Sequence, residues 1–161
     1  MNAAPAVAES ATGETMEIRW STVIDAPADE VWSYLRSFGN LADWIPTIDS
    51  CEIEDGHDDT VPGAVRVIRH GRNGSRERLL SNDDSTMTQT YEQLTGTLPV
   101  LDYRGTYQVW PVYDTDSAFV FRSCTFALTP SVTDPEALAT LVRVHVFAPT
   151  MEALRRKLSR G

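Results

Sequence analysis

The stretch Ile24-Asp25-Ala26-Pro27-Ala28-Asp29-Glu30-Val31-Trp32 decides how the chain begins to fold. Before it, residues 16–25 alternate apolar and polar side chains, which predicts a β-strand. Pro27 suits the first position of a helix, and Asp29 and Glu30 place negative charge in its first turn. The stretch therefore predicts a strand that ends at the Ala-Pro pair and passes directly into a helix.

The rest of the chain is a run of strands closed by one long helix. A second short helix is predicted at 41–45, and strands are predicted at 48–55, 63–70, 75–82, 86–94, 102–113 and 117–129. Asp134 and Pro135 begin a helix that runs to about Arg160 and is kinked at Pro149. Its predicted apolar stripe is Leu138, Leu141, Val142, His145, Val146, Met151, Leu154 and Leu158. This order predicts an α+β fold in which a seven-stranded, curved antiparallel sheet wraps the long C-terminal helix.

Composition narrows the possible partners. The 161 residues fit one domain, predicted at 16–161 after a flexible tail at 1–15. A net charge of −9 disfavours nucleic acid and anionic membranes, and no stretch predicts membrane insertion. We expect a cytoplasmic monomer or homodimer. Cys51 and Cys124 are then free thiols, unless two strands bring them together as a disulfide.

Several segments resemble the helix-grip superfamily, which includes START-like lipid carriers, birch-pollen-allergen-type proteins, bacterial polyketide cyclases/dehydrases and plant abscisic-acid receptors. The resemblance covers residues 18–158 and depends on the opening stretch, on Trp44-Ile45-Pro46, on 63–66, on 77–80 and on 153–158. It implies the helix-grip fold and an apolar internal cavity. Asp49 stands where the plant receptors carry a ligand-binding lysine, and their two gating loops are missing. Hormone recognition is therefore not implied.

Strand alternation and the resemblance together predict which side chains line the cavity. Glu77 and Leu79 share one face, as do Tyr103 and Tyr107, while the third strand is ambiguous and the resemblance favours Arg66 inward. The predicted catalytic residues are Arg66, His70, Glu77, Tyr91 and Tyr103. The predicted ligand contacts are Trp44, Asp49, Ile68, Leu79, Gln93, Tyr107, Phe121, Ser123, Val142 and Val146.

Two functions remain open for this cavity. The first is a cofactor-independent polyketide cyclase/dehydrase, in which Arg66 polarises a carbonyl and Glu77 or His70 takes a proton. The second is a non-catalytic carrier or sensor of a hydrophobic metabolite, in which Arg66 and Glu77 only hold the ligand. The same pair could instead serve the sheet alone, and His70 could be a solvated turn residue.

The remaining residue types point to no further chemistry. His145 is predicted to be a core residue of the long helix, and His57 a surface residue. The sequence predicts no metal site, because His57, Asp58 and Asp59 are too few and too solvated.

Overall fold

The computed structural model describes residues 9–161, which form one antiparallel sheet and a set of helices. The strands are β1 (Thr15–Ile24), β2 (Ser50–Ile53), β3 (Val65–His70), β4 (Asn73–Asp83), β5 (Thr88–Thr95), β6 (Val100–Val112) and β7 (Ser117–Leu128). The helices are α1 (Ala28–Leu35), α2 (Leu41–Trp44), α3 (Pro135–Leu141) and α4 (Ala148–Leu158), and a π-helical segment, Val142–Phe147, joins the last two. The predicted α+β helix-grip architecture is confirmed.

The sheet has seven strands in the order β1-β7-β6-β5-β4-β3-β2, and all neighbours are antiparallel. The first strand therefore lies beside the last, while the helix pair α1–α2 carries the chain to β2 at the opposite edge. Cys51 and Cys124 are free thiols, because β2 and β7 lie far apart in this order. This placement excludes the disulfide that the sequence left open.

Part of the predicted tail is bound to the sheet. Residues 1–8 lie outside the described residues. The Thr12 amide donates to the Leu128 carbonyl at 2.9 Å, and the Leu128 amide donates to the Glu14 carbonyl at 2.9 Å. The chain is therefore attached to β7 before β1 begins at Thr15. The division into one tail and one domain stays a prediction.

Turn geometry explains where strand boundaries differ from the prediction. Gly71, with a φ of 60°, allows a two-residue turn, so β4 begins at Asn73. Met87 has a φ of 49°, which ends the preceding turn and delays β5 to Thr88. Asp102 has a φ of 53° where the pairing of β6 with β7 shifts register, so β6 continues back through this irregularity to Val100.

The C-terminal helix changes its winding just before Pro149. The buried side chains along it are Leu138, Val142, Phe147, Met151, Leu154 and Leu158. The step from Val142 to Phe147 is one residue longer than an α-helical step, as expected for one π-type turn. Beyond this step the buried stripe stays on one face. The π-helical segment therefore keeps both halves of the helix against the sheet.

Two predicted core positions of this helix are wrong. Leu141, which precedes the π-helical segment, is 41% exposed because Leu138 and Ala139 form the buried side of α3. His145 is exposed because the prediction assumed α-helical spacing throughout, whereas the π-type turn brings Phe147 to the core. The span Pro135–Leu158 is long and apolar enough by composition to cross a membrane. Its buried stripe belongs to the same hydrophobic core as the sheet, however, so it is the core helix of the fold and not a membrane span.

Candidate functional site

The concave face of the sheet is where predicted site residues come together. The side chains buried there are Arg66, Ile68, Glu77, Leu79, Tyr91, Tyr103 and Tyr107. Opposite them, the C-terminal helix contributes buried Val142 and half-buried Val146. Four strands therefore present polar groups and aromatic rings to one space beneath the helix.

Arg66 and Glu77 form a buried ion pair across the β3–β4 hairpin. Arg66 Nε donates to Glu77 Oε2 at 2.7 Å, and Arg66 Nη2 lies 2.6 Å from the same oxygen. Arg66 Nη1 also donates to the Phe38 carbonyl at 3.1 Å. The guanidinium lies 3.8 Å from the centroid of the Phe38 ring and 5.0 Å from that of Tyr91. The two charges offset each other in an aromatic environment.

The face of β7 is the main error of the sequence prediction. Val120, Arg122, Cys124 and Phe126 are buried on the concave side, whereas Phe121 and Ser123 lie on the outer face. Both alternating sets contain large apolar residues, so alternation alone does not choose between them. The β6–β7 hairpin does choose, because it pairs Val112 with Ser117 and hence Tyr107 with Arg122. Paired residues share a face, and Tyr107 faces inward.

Arg122 is therefore a site residue that the sequence analysis missed. It is 7% exposed, and its guanidinium lies 4.2 Å from the Phe147 ring centroid and 4.9 Å from that of Tyr107. Its Nε and Nη1 atoms are buried with no acceptor among the described residues. Burial lowers the pKa of Arg122, but the oxygens of Tyr107, Tyr91 and Tyr103 raise it further, above its ordinary value. Arg122 thus keeps its positive charge.

Three buried tyrosines lie on the same sheet face as the two arginines. The Tyr91 ring centroid lies 6.3 Å from that of Tyr107 and 6.4 Å from that of Tyr103. Gly105 makes room for this arrangement, because a Cβ atom there would lie 2.2 Å from the Tyr91 ring. Burial raises the pKa of Tyr103 and of Tyr107 above the usual value, so their hydroxyls stay protonated and can donate hydrogen bonds.

These side chains lie on the concave face, where the sequence predicted an apolar cavity. We call this set the interior cluster: Phe38, Arg66, Glu77, Tyr91, Tyr103, Tyr107, Arg122, Phe126 and Phe147. The Tyr103 and Phe126 rings stack at 6.2 Å, and Phe147 covers Arg122 from the π-helical segment. Aromatic rings thus lie against both guanidinium groups of the cluster. Phe38 and Phe147 were not predicted, because a loop and an irregular helix turn position them.

Two hollows open beside the interior cluster. One, of about 270 Å³, lies at the end of the β5–β6 hairpin and is lined by Gln93, Leu98, Val100 and Tyr103 among others. The other, of about 530 Å³, lies between α2 and α4 and is lined by Trp44, Pro149 and Arg156 among others. Tyr103 belongs both to the first hollow and to the interior cluster. The first hollow therefore lies next to the interior cluster.

Several predicted contacts lie away from this site. Asp49 is exposed, and its Oδ2 accepts a hydrogen bond from the Gly71 amide at 2.6 Å, so it holds the β3–β4 turn. His70 is half-buried at the end of β3, beside the same turn. Trp44 is buried, and its Nε1 donates to Asn40 Oδ1 at 3.1 Å. Asp49 and His70 thus belong to the edge of the sheet, and Trp44 lines the hollow between α2 and α4. Within residues 9–161, no group of three or more metal-ligating side chains is placed to hold a metal ion.

Comparison with known proteins agrees with this architecture. A protein from Bacillus thuringiensis is 25% identical, covers 88% of this chain and 98% of its own, and gives a TM-score of 0.77. A solution structure from Thermobifida fusca is also 25% identical, with 88% and 91% of the two chains covered and a TM-score of 0.77. Norcoclaurine synthase from Thalictrum flavum, solved with dopamine and hydroxybenzaldehyde, shares the fold at 21% identity, 89% and 86% coverage and a TM-score of 0.71.

The sequence itself places the chain in a family. No curated protein shows significant sequence similarity to it. A family model described as polyketide cyclase / dehydrase and lipid transport matches residues 15–159, from the start of β1 to the end of the C-terminal helix. That family is one that binds hydrophobic ligands. The chain belongs to the polyketide cyclase / dehydrase and lipid transport family.

Proposed function

We propose that the protein binds a small polyketide-like molecule within the interior cluster and closes a ring in it by a cofactor-independent aldol condensation followed by loss of water. The observation that carries this proposal is the convergence of protonated tyrosine hydroxyls, a carboxylate and two guanidinium groups in one dry aromatic space. Such sites combine apolar walls with a few placed polar groups.

Entry proceeds through the hollow at the end of the β5–β6 hairpin. Gln93 is half-buried at its wall, and the buried Tyr103 also lines it. The hollow is close to the lower limit of size for a small-molecule site, which is about 300 Å³. A bound molecule must therefore displace aromatic side chains further inside, and the Tyr103 and Tyr91 rings are the first it meets.

The proposed chemistry needs a proton acceptor, a site for negative charge and a proton donor. A carboxylate oxygen of Glu77 takes a proton from a methylene flanked by two carbonyl groups, and the electron pair moves onto oxygen as an enolate. The enolate carbon then attacks a second carbonyl, forming the new C–C bond and an alkoxide. The Tyr103 hydroxyl donates a proton to this alkoxide and becomes a phenolate. In the dehydration, the phenolate takes the remaining α-proton, the new C=C bond forms as the C–O bond breaks, and the leaving hydroxyl takes the proton held by Glu77 and departs as water. Both side chains are then restored. The Arg66 guanidinium stabilises the negative charge on the enolate oxygen.

A carrier of hydrophobic metabolites is the second candidate. The observation that favours it is the ion pair of Glu77, whose Oε2 accepts a hydrogen bond from Arg66 Nε and lies 2.6 Å from Arg66 Nη2. A carboxylate in this position must leave a buried ion pair before it can act on a substrate. In this case the ion pair only fixes the position of the ligand.

One experiment separates the two candidates. Purified protein is mixed with a synthetic linear poly-β-ketone thioester, and native mass spectrometry follows the bound mass while chromatography follows ring-closed product. The cyclase proposal predicts product above the rate in buffer and a loss of about 100-fold in Glu77→Gln, as expected when a general base is removed. Glu52→Gln is the matched control, because Glu52 lies exposed on β2.

The outcomes divide as follows. Retention of the unchanged polyketone by the wild-type protein, with product only at the buffer rate, supports the carrier. Neither retention nor product contradicts both candidates.

A further inference from the structure

The interior cluster holds one uncompensated positive charge. Arg66 and Glu77 neutralise each other. Arg122 is buried as deeply on the same sheet face, but no acidic side chain among the described residues pairs with it. Arg66 therefore has a counterion and Arg122 has none among the described residues, although both lie against aromatic rings.

The surroundings of Arg122 do not offset this burial. A guanidinium between two aromatic rings gains a cation–π contribution, but its N–H groups still require acceptors. Two of its three nitrogens have none within residues 9–161. Arg122 lies beside Trp20 on β1 and Tyr107 on β6, so neither neighbouring strand supplies a carboxylate at this level. Folding alone therefore gives no reason for a charged residue at this position.

We infer that the ligand of this site is an organic monoanion with an apolar body, whose negative oxygen group binds Arg122. The group is one in which charge is shared by two oxygens, such as a carboxylate or the enolate of a β-diketone, because such anions accept hydrogen bonds from more than one N–H of a guanidinium. One negative charge neutralises the interior cluster. This inference rests on the proposed function, because it assumes that the ligand enters the interior.

The side chains around Arg122 indicate the shape and polarity of the ligand. The Tyr107 and Phe147 rings enclose the guanidinium, so the part of the ligand next to its charge is flat and apolar. The protonated Tyr103 hydroxyl is a second donor, on a residue that also lines the hollow at Gln93. We therefore expect a ligand that has one ring or two fused rings and a single acidic group at one end.

A matched pair of probes tests this inference. Binding of 1-naphthoate and of its neutral isostere 1-naphthamide is measured by calorimetry on the wild-type protein, Arg122→Met, Arg122→Lys and Arg69→Met. Wild type should bind the anion at least about tenfold more tightly, which is a change expected for one charge-assisted hydrogen bond. Arg122→Met should lose this preference, and Arg122→Lys should keep part of it because the charge remains. The exposed Arg69 on β3 serves as the control, and its variant should behave like wild type.

A second probe distinguishes the two kinds of anion. The enolate of 1-phenylbutane-1,3-dione has its own ultraviolet band, and binding next to Arg122 should lower the pH at which that band appears by about one unit relative to Arg122→Met. A naphthoate preference without this shift assigns the site to carboxylates, and the shift assigns it to enolates. Equal binding of naphthoate and naphthamide, with no enolate shift, overturns the inference and leaves the proposed function intact. Binding of none of the probes overturns both.

Discussion

At the scale of single residues, two arginines on one sheet face have opposite electrostatic roles. Arg66 is 3% exposed and Arg122 is 7% exposed, and each guanidinium lies against two aromatic rings. Arg66 completes an ion pair, whereas Arg122 has no carboxylate partner within residues 9–161. A residue retained for function often lowers stability in this way.

The same substitution at the two positions should therefore have opposite effects on stability. Arg66→Met leaves Glu77 buried without its partner, and we expect the free energy of unfolding to fall by about 3 to 5 kcal/mol. Arg122→Met removes an uncompensated charge, and we expect that free energy to rise by about 1 kcal/mol or more. Urea unfolding followed by circular dichroism measures both. A destabilised Arg122→Met would mean that Arg122 serves the fold.

At the scale of elements, the π-helical segment sets which helical residues meet the sheet. Val142 and Phe147 are both fully buried, and the extra residue between them belongs to the segment Val142–Phe147. Pro149, which lacks a backbone N–H, follows at the start of α4. This arrangement puts Phe147 on Arg122, so an irregular turn completes the interior cluster.

Deleting one residue should be tolerated inside this segment and not before it. Removal of the exposed Val144 converts the π turn to an α turn and leaves Phe147, Met151 and Leu154 facing the sheet. Removal of the exposed Thr140 from α3 rotates the following helix by about 100° and takes these side chains out of the core, at about 1.5 to 3 kcal/mol each. Thermal unfolding of the two deletion variants compares them. Equal loss of stability in both variants would show that the π turn does not set which helical side chains face the sheet.

The attachment of α1 to the β4–β5 turn should depend on pH. Asp84 accepts hydrogen bonds from Trp32 Nε1 at 2.8 Å and from Arg36 Nε at 2.9 Å. The hydrogen bond from Arg36 is the larger cause that lowers the pKa of Asp84 below its ordinary value of 3.8. A carboxylate with a lowered folded-state pKa stabilises the fold above its unfolded pKa and loses that contribution as the pH falls.

Asp84→Asn should reduce the melting temperature at pH 7 and narrow its difference from wild type below about pH 4, where the carboxylate becomes protonated. Melting curves from pH 7 to pH 2 give both values. The exposed Asp114, on the β6–β7 turn, provides the matched control Asp114→Asn. An unchanged gap between wild type and Asp84→Asn across this range would show that the carboxylate charge is not the cause.

At the scale of the whole molecule, the sequence predicted the architecture and the buried face of four of the strands that carry the candidate site. The order of elements and the inward face of β3 to β6 were correct because alternation there separates polar from apolar sets, helped by the family resemblance on β3. Alternation failed on β7, where both faces are apolar, although the hairpin register placed Arg122 opposite Tyr107. It also failed at the π-helical segment, since no regular period contains a single five-residue step.

Binding of an anionic ligand by Arg122 within the interior cluster is the central claim. The most direct measurement is a titration with 1-naphthoate, followed by NMR of the arginine side-chain Nε–H signals. The claim predicts that the Arg122 signal shifts most, that the Arg66 signal shifts less because it stays on Glu77, and that exposed arginines stay unchanged. Shifts confined to Arg156, in the hollow between α2 and α4, would contradict it.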